Sequence, residues 1–244
     1  MTSAHDVIAL TNVSCRLGDF LAVDNLTFSV RLGEVVALVG KTGAGKSTVL
    51  NLVMGSIQPT AGEVRVEGHD PFRESAALRG KIGVSFQTDR LLPWRTAIEN
   101  VELGMQILHV PQAEMDKRAA NWLQRVKMAD ARDKYPHELS GGMRQRVSLA
   151  RALAVDPSIL LLDESFSQLD AVTSVSLRRD VAELVRSVKK TCLFITHRIE
   201  DAIEMADRII VLAAPARVCL ELKLDGEVRA RSDELKALIS NAMI

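Results

Sequence analysis

Two hydrophobic rhythms alternate along the chain. The runs "EVVALVG", "KIGVSF", "SILLLD", "TCLFIT" and "RIIVL" have strand length and no polar alternation. Such runs predict strands covered on both faces, and therefore a largely parallel sheet. Between them apolar residues recur at three- and four-residue spacing, as in "KSTVLNLVMG" and "SVSLRRDVAELVRSVKK", which predicts helices. Strands and helices in this order imply an α/β fold with helices packed over the sheet.

One stretch breaks the alternation. From about Leu91 to Val155 no strand pattern appears, and helical spacing runs over Ile98–Leu108, Gln112–Val126 and Gly142–Leu153. Pro93, Pro111, Pro136 and Pro157 punctuate or bound it. Residues 91–155 are therefore expected to form a helical subdomain inserted into a core made of residues 1–90 and 156–244. One more strand and a final helix are expected after about Pro215.

Composition adds mainly exclusions. Of 244 residues, 47% are hydrophobic and 25% charged, the balance of an ordinary globular domain. Lys+Arg 31 equals Asp+Glu 31, so bulk electrostatics argue against a nucleic-acid partner. Cys15, Cys192 and Cys219 form no metal or redox spacing and are expected to be small buried apolar residues in a reducing compartment. The opening "MTSAHDVIAL" has neither a basic nor an apolar signal region, and no apolar run approaches the ~18 residues of a membrane span.

The chemistry begins at "VVALVGKTGAGKSTVLNLVMG", where Gly40, Lys41, Thr42, Gly43, Ala44, Gly45, Lys46, Ser47 and Thr48 join a strand to a helix. This is the P-loop pattern in its required context. Its glycines let successive N–H groups turn toward phosphate at a helix N-terminus. Lys46 is expected to reach the β- and γ-phosphates and the Ser47 hydroxyl to ligate Mg²⁺. "SILLLDES" ends a strand in Asp163 and Glu164, the first suited to hold Mg²⁺ and the second to polarise an attacking water. His197 after "TCLFIT" and Gln87 after "KIGVSF" occupy further strand ends, although alone each reads as a polar surface residue.

"HELSGGMRQRVSLARAL" is a second turn suited to anions, roughly a hundred residues downstream of the first. Together "GKTGAGKST", Gln87, "LSGGMRQR", "ILLLDE" and His197, in this order, resemble the ATP-binding subunits of ATP-binding-cassette (ABC) transporters. The resemblance runs from about Val7 to Leu212. It implies a P-loop NTPase core with a largely parallel sheet, an N-terminal antiparallel β portion and the inserted helical subdomain. It also implies a homodimer in which Ser140, Gly141 and Gly142 contact the partner's ATP, and Asp170 links the two sites. Glu164, His197 and Gln87 become catalytic, with Ser47, Gln87 and Asp163 around Mg²⁺.

The chain departs from the family's pattern at four positions. Leu17 stands where the family often stacks an aromatic residue on adenine, and Phe20, three residues on, is the candidate substitute. With base–aromatic stacking contributing about 1–3 kcal/mol, Leu17 alone predicts roughly tenfold weaker ATP binding. Ser165 and Gln168 replace a usual proline and alanine in "SFSQLD", which frees the backbone beside Glu164. Arg198 replaces a usual acidic residue after His197.

"FQTDRLLPWRTAIENVELG" is similar to the segment found in importers of nitrate, sulfonates, taurine and related oxyanions. There it implies that Leu91, Leu92 and Trp94 anchor a membrane subunit; the alternative is that Trp94 closes the helical subdomain's own core. The resemblance thus implies an ATPase subunit at the cytoplasmic face of the cell membrane, with two permease subunits and an external solute-binding protein. A soluble ABC ATPase and a nucleotide-binding regulatory module are the competing readings.

Overall fold

The computed structural model describes residues 6–163, 183–185, 187, 190–226 and 232–243. Internal packing divides the chain into two units, residues 1–78 with 190–244, and residues 79–189.

In the first unit, β1 (Asp6–Leu17) and β2 (Phe20–Arg31) form a long antiparallel hairpin closed by Gly18 and Asp19, and β4 (Ala61–Val66) pairs with the other edge of β1. A second sheet places β3 (Val35–Val39) between β7 (Thr191–Thr196) and β8 (Arg208–Ala213), all parallel. β9 (Arg217–Lys223) joins β8 antiparallel. Every residue of β3 and β7 is buried, as their unbroken apolar runs require. The helices described in this unit include α1 (Lys46–Val53), α5 (Ile199–Met205) and α6 (Ser232–Ala242).

β9 behaves differently because only one of its faces is covered. Its burial alternates, which puts Cys219 on the outward face with Arg217, Glu221 and Lys223. The expectation of three buried thiols is thereby corrected: Cys15 and Cys192 are buried, and Cys219 is exposed. At the start of β8 the buried Arg208 is held by both carboxylate oxygens of Glu34, at 2.7 and 2.9 Å, and by Glu221 at 2.8 Å. A buried guanidinium needs this many partners to offset its lost hydration.

The second unit pairs β5 (Ile82–Ser85) in parallel with β6 (Ile159–Asp163) and contains α2 (Ala97–Ile107), α3 (Gln112–Arg125) and α4 (Gly141–Ala154). These are the three helices that the spacing predicts. α2 starts at a reciprocal cap: Thr96 N donates to Glu99 Oε2 at 2.7 Å and Glu99 N donates to Thr96 Oγ1 at 3.4 Å. Pro111 precedes α3, where its missing N–H costs no helical bond. No described helix is long and apolar enough to cross a membrane.

Candidate functional site

The P-loop leaves the carboxyl end of β3 and feeds α1. Ala44 N donates to Lys41 O at 3.1 Å, closing the turn, and Gly45 caps α1. Gly43 and Gly45 both sit at φ 84, a left-handed conformation costly for any residue with a Cβ. At Gly45 space is also short: a Cβ would lie 2.4 Å from Ala22 O and 2.8 Å from the Ala216 Cβ. Lys46 is only 5% exposed, and its ammonium donates to Gly40 O at 2.7 Å and Lys41 O at 2.9 Å. These bonds pin the cation against the start of the loop, while Ser47, next on the helix, is exposed.

Register brings two more predicted residues to this place. Val39 pairs with Thr196 in the parallel β3–β7 ladder, so Gly40 and His197 emerge from neighbouring strands at the same level. Ligand sites of open α/β sheets lie outside these carboxyl ends. His197 is exposed there, and Thr196 Oγ1 accepts from Arg198 N at 3.0 Å directly after it. The base-side candidates sit at the hairpin tip. Leu17 and Phe20 are directly paired across the turn, so they share one face, and they are 49% and 60% exposed. Two residues beyond Phe20, Ala22 is the residue whose carbonyl crowds Gly45, so the hairpin runs beside the P-loop.

In the second unit Gln87 and Asp163 come together by the same logic. Ser85 pairs with Leu162, so Phe86 and Asp163 follow at adjacent strand ends, with Gln87 one residue on and exposed. The Ser-Gly-Gly turn opens α4. Ser140 is its N-cap, accepting from Met143 N at 3.3 Å, and both Ser140 and Gly141 are exposed while Gly142 is buried. The first turn of α4 carries no acidic side chain to offset the positive end of its dipole. Glu164 and Asp170, with Ser165 and Gln168, lie outside the described residues.

The "LLPW" segment divides. Trp94 is 71% exposed, so it does not close a core within this chain. Leu91 is only 8% exposed. Leu91 is therefore corrected from anchor to packing residue, and Asp89 Oδ1 accepts from its N–H at 3.1 Å. Leu92 is half-buried. The loop around Trp94 is fixed by the buried Asn100, which accepts from Leu92 N at 2.7 Å and donates to Leu92 O, Arg95 O and Thr96 O at 3.0–3.1 Å. Sequence reasoning missed Asn100. Its signal was a polar residue at helical spacing from Ala97 and Leu103, which calls for buried partners.

The family profile described as ABC transporter matches residues 23–167. A putative ATP-binding protein of Brucella abortus is 40% identical over 212 residues, covering 86% of this chain and 80% of that protein. The sulfate/thiosulfate import ATP-binding protein CysA of Thermosynechococcus vestitus is 42% identical over 205 residues, which is 84% of this chain and 61% of CysA. The chain thus spans less than two thirds of that relative. Among solved structures, the dimeric post-hydrolysis ATP-binding cassette MJ0796 with ADP and Pi superposes with TM-score 0.78 at 34% identity, covering 90% of this chain and 99% of that one. The cbiO1 subunit of the Clostridium perfringens complex cbiONQ gives TM-score 0.83 at 26% identity, covering 96% and 94%. A profile match over more than half the chain, a relative at this identity and cassette structures of the same fold agree: the chain belongs to the ABC transporter family, as an ATP-binding, ATP-hydrolysing subunit.

Proposed function

We propose that this subunit drives import of a small oxyanion, such as nitrate, a sulfonate or taurine, as an ATP-clamped homodimer on two membrane permease subunits. The observation that carries the reading is the exposed Ser140-Gly141 start of α4 in a chain whose own P-loop is complete. A second anion-reading turn has a use when a partner chain brings a second ATP. Charge-assisted hydrogen bonds from such a turn contribute on the order of 1.5–3 kcal/mol each, so ATP joins the two chains and its hydrolysis releases them. The dimeric cassette MJ0796 supports that arrangement.

At each site the P-loop amides and Lys46 bind the phosphates. Ser47, Gln87 and Asp163 offer a hydroxyl, an amide carbonyl and a carboxylate, all hard oxygen donors that suit Mg²⁺. When bound, that ion neutralises charge building on the phosphates. Glu164 takes the proton of the attacking water as its oxygen bonds to Pγ and the bond to the ADP oxygen breaks. His197 steadies the γ-phosphate, and Phe20 with Leu17 covers the base. Trp94, with Leu92 beside it, is the apolar anchor for a membrane subunit at the cytoplasmic face, and an external solute-binding protein delivers the cargo. The oxyanion class is supported by "LLPW" and by the name of the sulfate/thiosulfate relative.

The test is capture of tagged Glu164→Gln with Mg-ATP from detergent-solubilised native membranes, followed by mass spectrometry. A multi-helix membrane subunit is expected, with a solute-binding protein whose ligand identifies the cargo. Cytosolic partners alone, with no chain in the membrane fraction, would overturn the importer reading.

A further inference from the structure

The turn that carries His197 is held at three points. Thr196, the last residue of β7, is 5% exposed, and its hydroxyl oxygen accepts from Arg198 N at 3.0 Å, bridging the histidine. The same hydroxyl donates to Asp201 Oδ2 at 3.4 Å, in the first turn of α5. Arg198 Nε lies 3.7 Å from the other oxygen of that carboxylate, Asp201 Oδ1. The exposed His197 thus sits between two residues that are both tied to one buried acid.

Asp201 accounts for the unusual arginine. Its side chain is only 4% exposed, and a carboxylate taken out of water needs a charged or hydrogen-bonding partner. Arg198 caps the N-terminus of α5, where the helix dipole disfavours a cation, so its place there has to be offset by the ion pair. Although the side chain as a whole is 42% exposed, its Nε is buried, so the stem folds back along α5 instead of extending into water. An acidic residue at 198, the usual one in the family, would set two like charges at i, i+3 spacing on this helix end.

We propose that Arg198 and Asp201 are positioning residues for His197: their ion pair, with the Thr196 hydroxyl bonded to both, fixes the β7–α5 turn so that the imidazole meets the γ-phosphate. This rests on the reading of His197 as a γ-phosphate contact. Gly40 and His197 leave neighbouring strands at the same level, so a rotation of this turn moves the imidazole past the P-loop without disturbing the loop itself. Misplacing a reacting or stabilising group by about 1 Å is enough to cost on the order of a hundredfold in rate. ADP lacks the γ-phosphate, so its binding is indifferent to where the imidazole points.

ATP turnover and ADP affinity of the full chain test it, in Arg198→Gln, Arg198→Lys, His197→Ala and the pair Arg198→Gln with His197→Ala. Arg198→Gln is expected to lower kcat roughly fivefold to thirtyfold, and the pair to be no worse than His197→Ala alone. Affinity for a fluorescent ADP analogue stays within about twofold of wild type in Arg198→Gln, because the P-loop is untouched. Arg198→Lys keeps the ion pair and recovers most of the turnover. Asp201→Asn reproduces Arg198→Gln; should that buried change not fold, the partly exposed Arg198 variants still decide the matter. Wild-type turnover in Arg198→Gln, an equal loss of ADP binding, no recovery in Arg198→Lys or multiplying effects in the pair would each overturn the positioning role while leaving His197 in place. Wild-type turnover in His197→Ala would overturn the reading of His197, and the positioning role with it.

Discussion

Gly43 and Gly45 share one backbone conformation and differ in their surroundings, which makes them a matched pair. Both have φ 84, so alanine at either pays the left-handed cost of about 1–2 kcal/mol. At Gly43 a Cβ meets nothing within 4 Å, and that cost stands alone. At Gly45 the Cβ falls 2.4 Å from Ala22 O and 2.8 Å from the Ala216 Cβ, both on elements fixed by backbone hydrogen bonds. Ala216 N donates to Ala22 O at 2.9 Å, so neither atom moves without breaking the other's bond. Overpacking of this kind adds about 1–3 kcal/mol. Gly43→Ala is therefore expected to lose about 1–2 kcal/mol and Gly45→Ala about 2–5 kcal/mol. At about 2–4 °C per kcal/mol for a chain of this size, the second variant melts several degrees below the first. Thermal unfolding of the nucleotide-free variants by circular dichroism measures the gap. Equal melting temperatures, or a lower one for Gly43→Ala, would refute the argument that the Ala22–Ala216 bridge sets the shape of the loop.

Three further outcomes follow from the same structure. Burial, with Asp116 and Glu99 nearby, pushes the Glu102 carboxyl above the ordinary glutamate range. Its ionisation therefore costs stability above that raised value and costs nothing below the ordinary one, so Glu102→Gln melts higher than wild type at neutral pH and matches it near about pH 3.5. Of the three thiols only Cys219 is exposed, and burial pushes Cys192 and Cys15 up, so a thiol reagent labels one cysteine in the folded chain and three in denaturant. Trp94→Ala changes stability by no more than about 0.5 kcal/mol, because the ring is 71% exposed, yet abolishes capture of the membrane subunit.

The sequence made legible what depends on local pattern. Unbroken apolar runs announced the parallel strands, and the P-loop announced itself because phosphate binding needs glycine at fixed positions in a strand–turn–helix context. Strand register then did what spacing could not. It put His197 level with Gly40, and Gln87 beside Asp163, although these pairs are far apart in sequence. Leu91 was misread because apolar character alone does not say whether a residue faces the core or the surface. Cys219 was misread because a cysteine counts as apolar by type, although the alternation of "RVCLELK" puts it in phase with Arg217, Glu221 and Lys223 on the bare face.

The claim at the centre of this account is that Ser140 serves the partner's ATP. Two inactive variants test it directly: Lys46→Ala, which disables a chain's own P-loop, and Ser140→Arg, which blocks the turn. In a mixed dimer, capping in trans leaves one site with an intact P-loop and an intact turn, while capping within one chain leaves none. ATP turnover of the mixture well above that of either variant alone is the predicted result. A mixture that hydrolyses no more than the sum of its parts, with mixed dimers verified by differential tags, would contradict it.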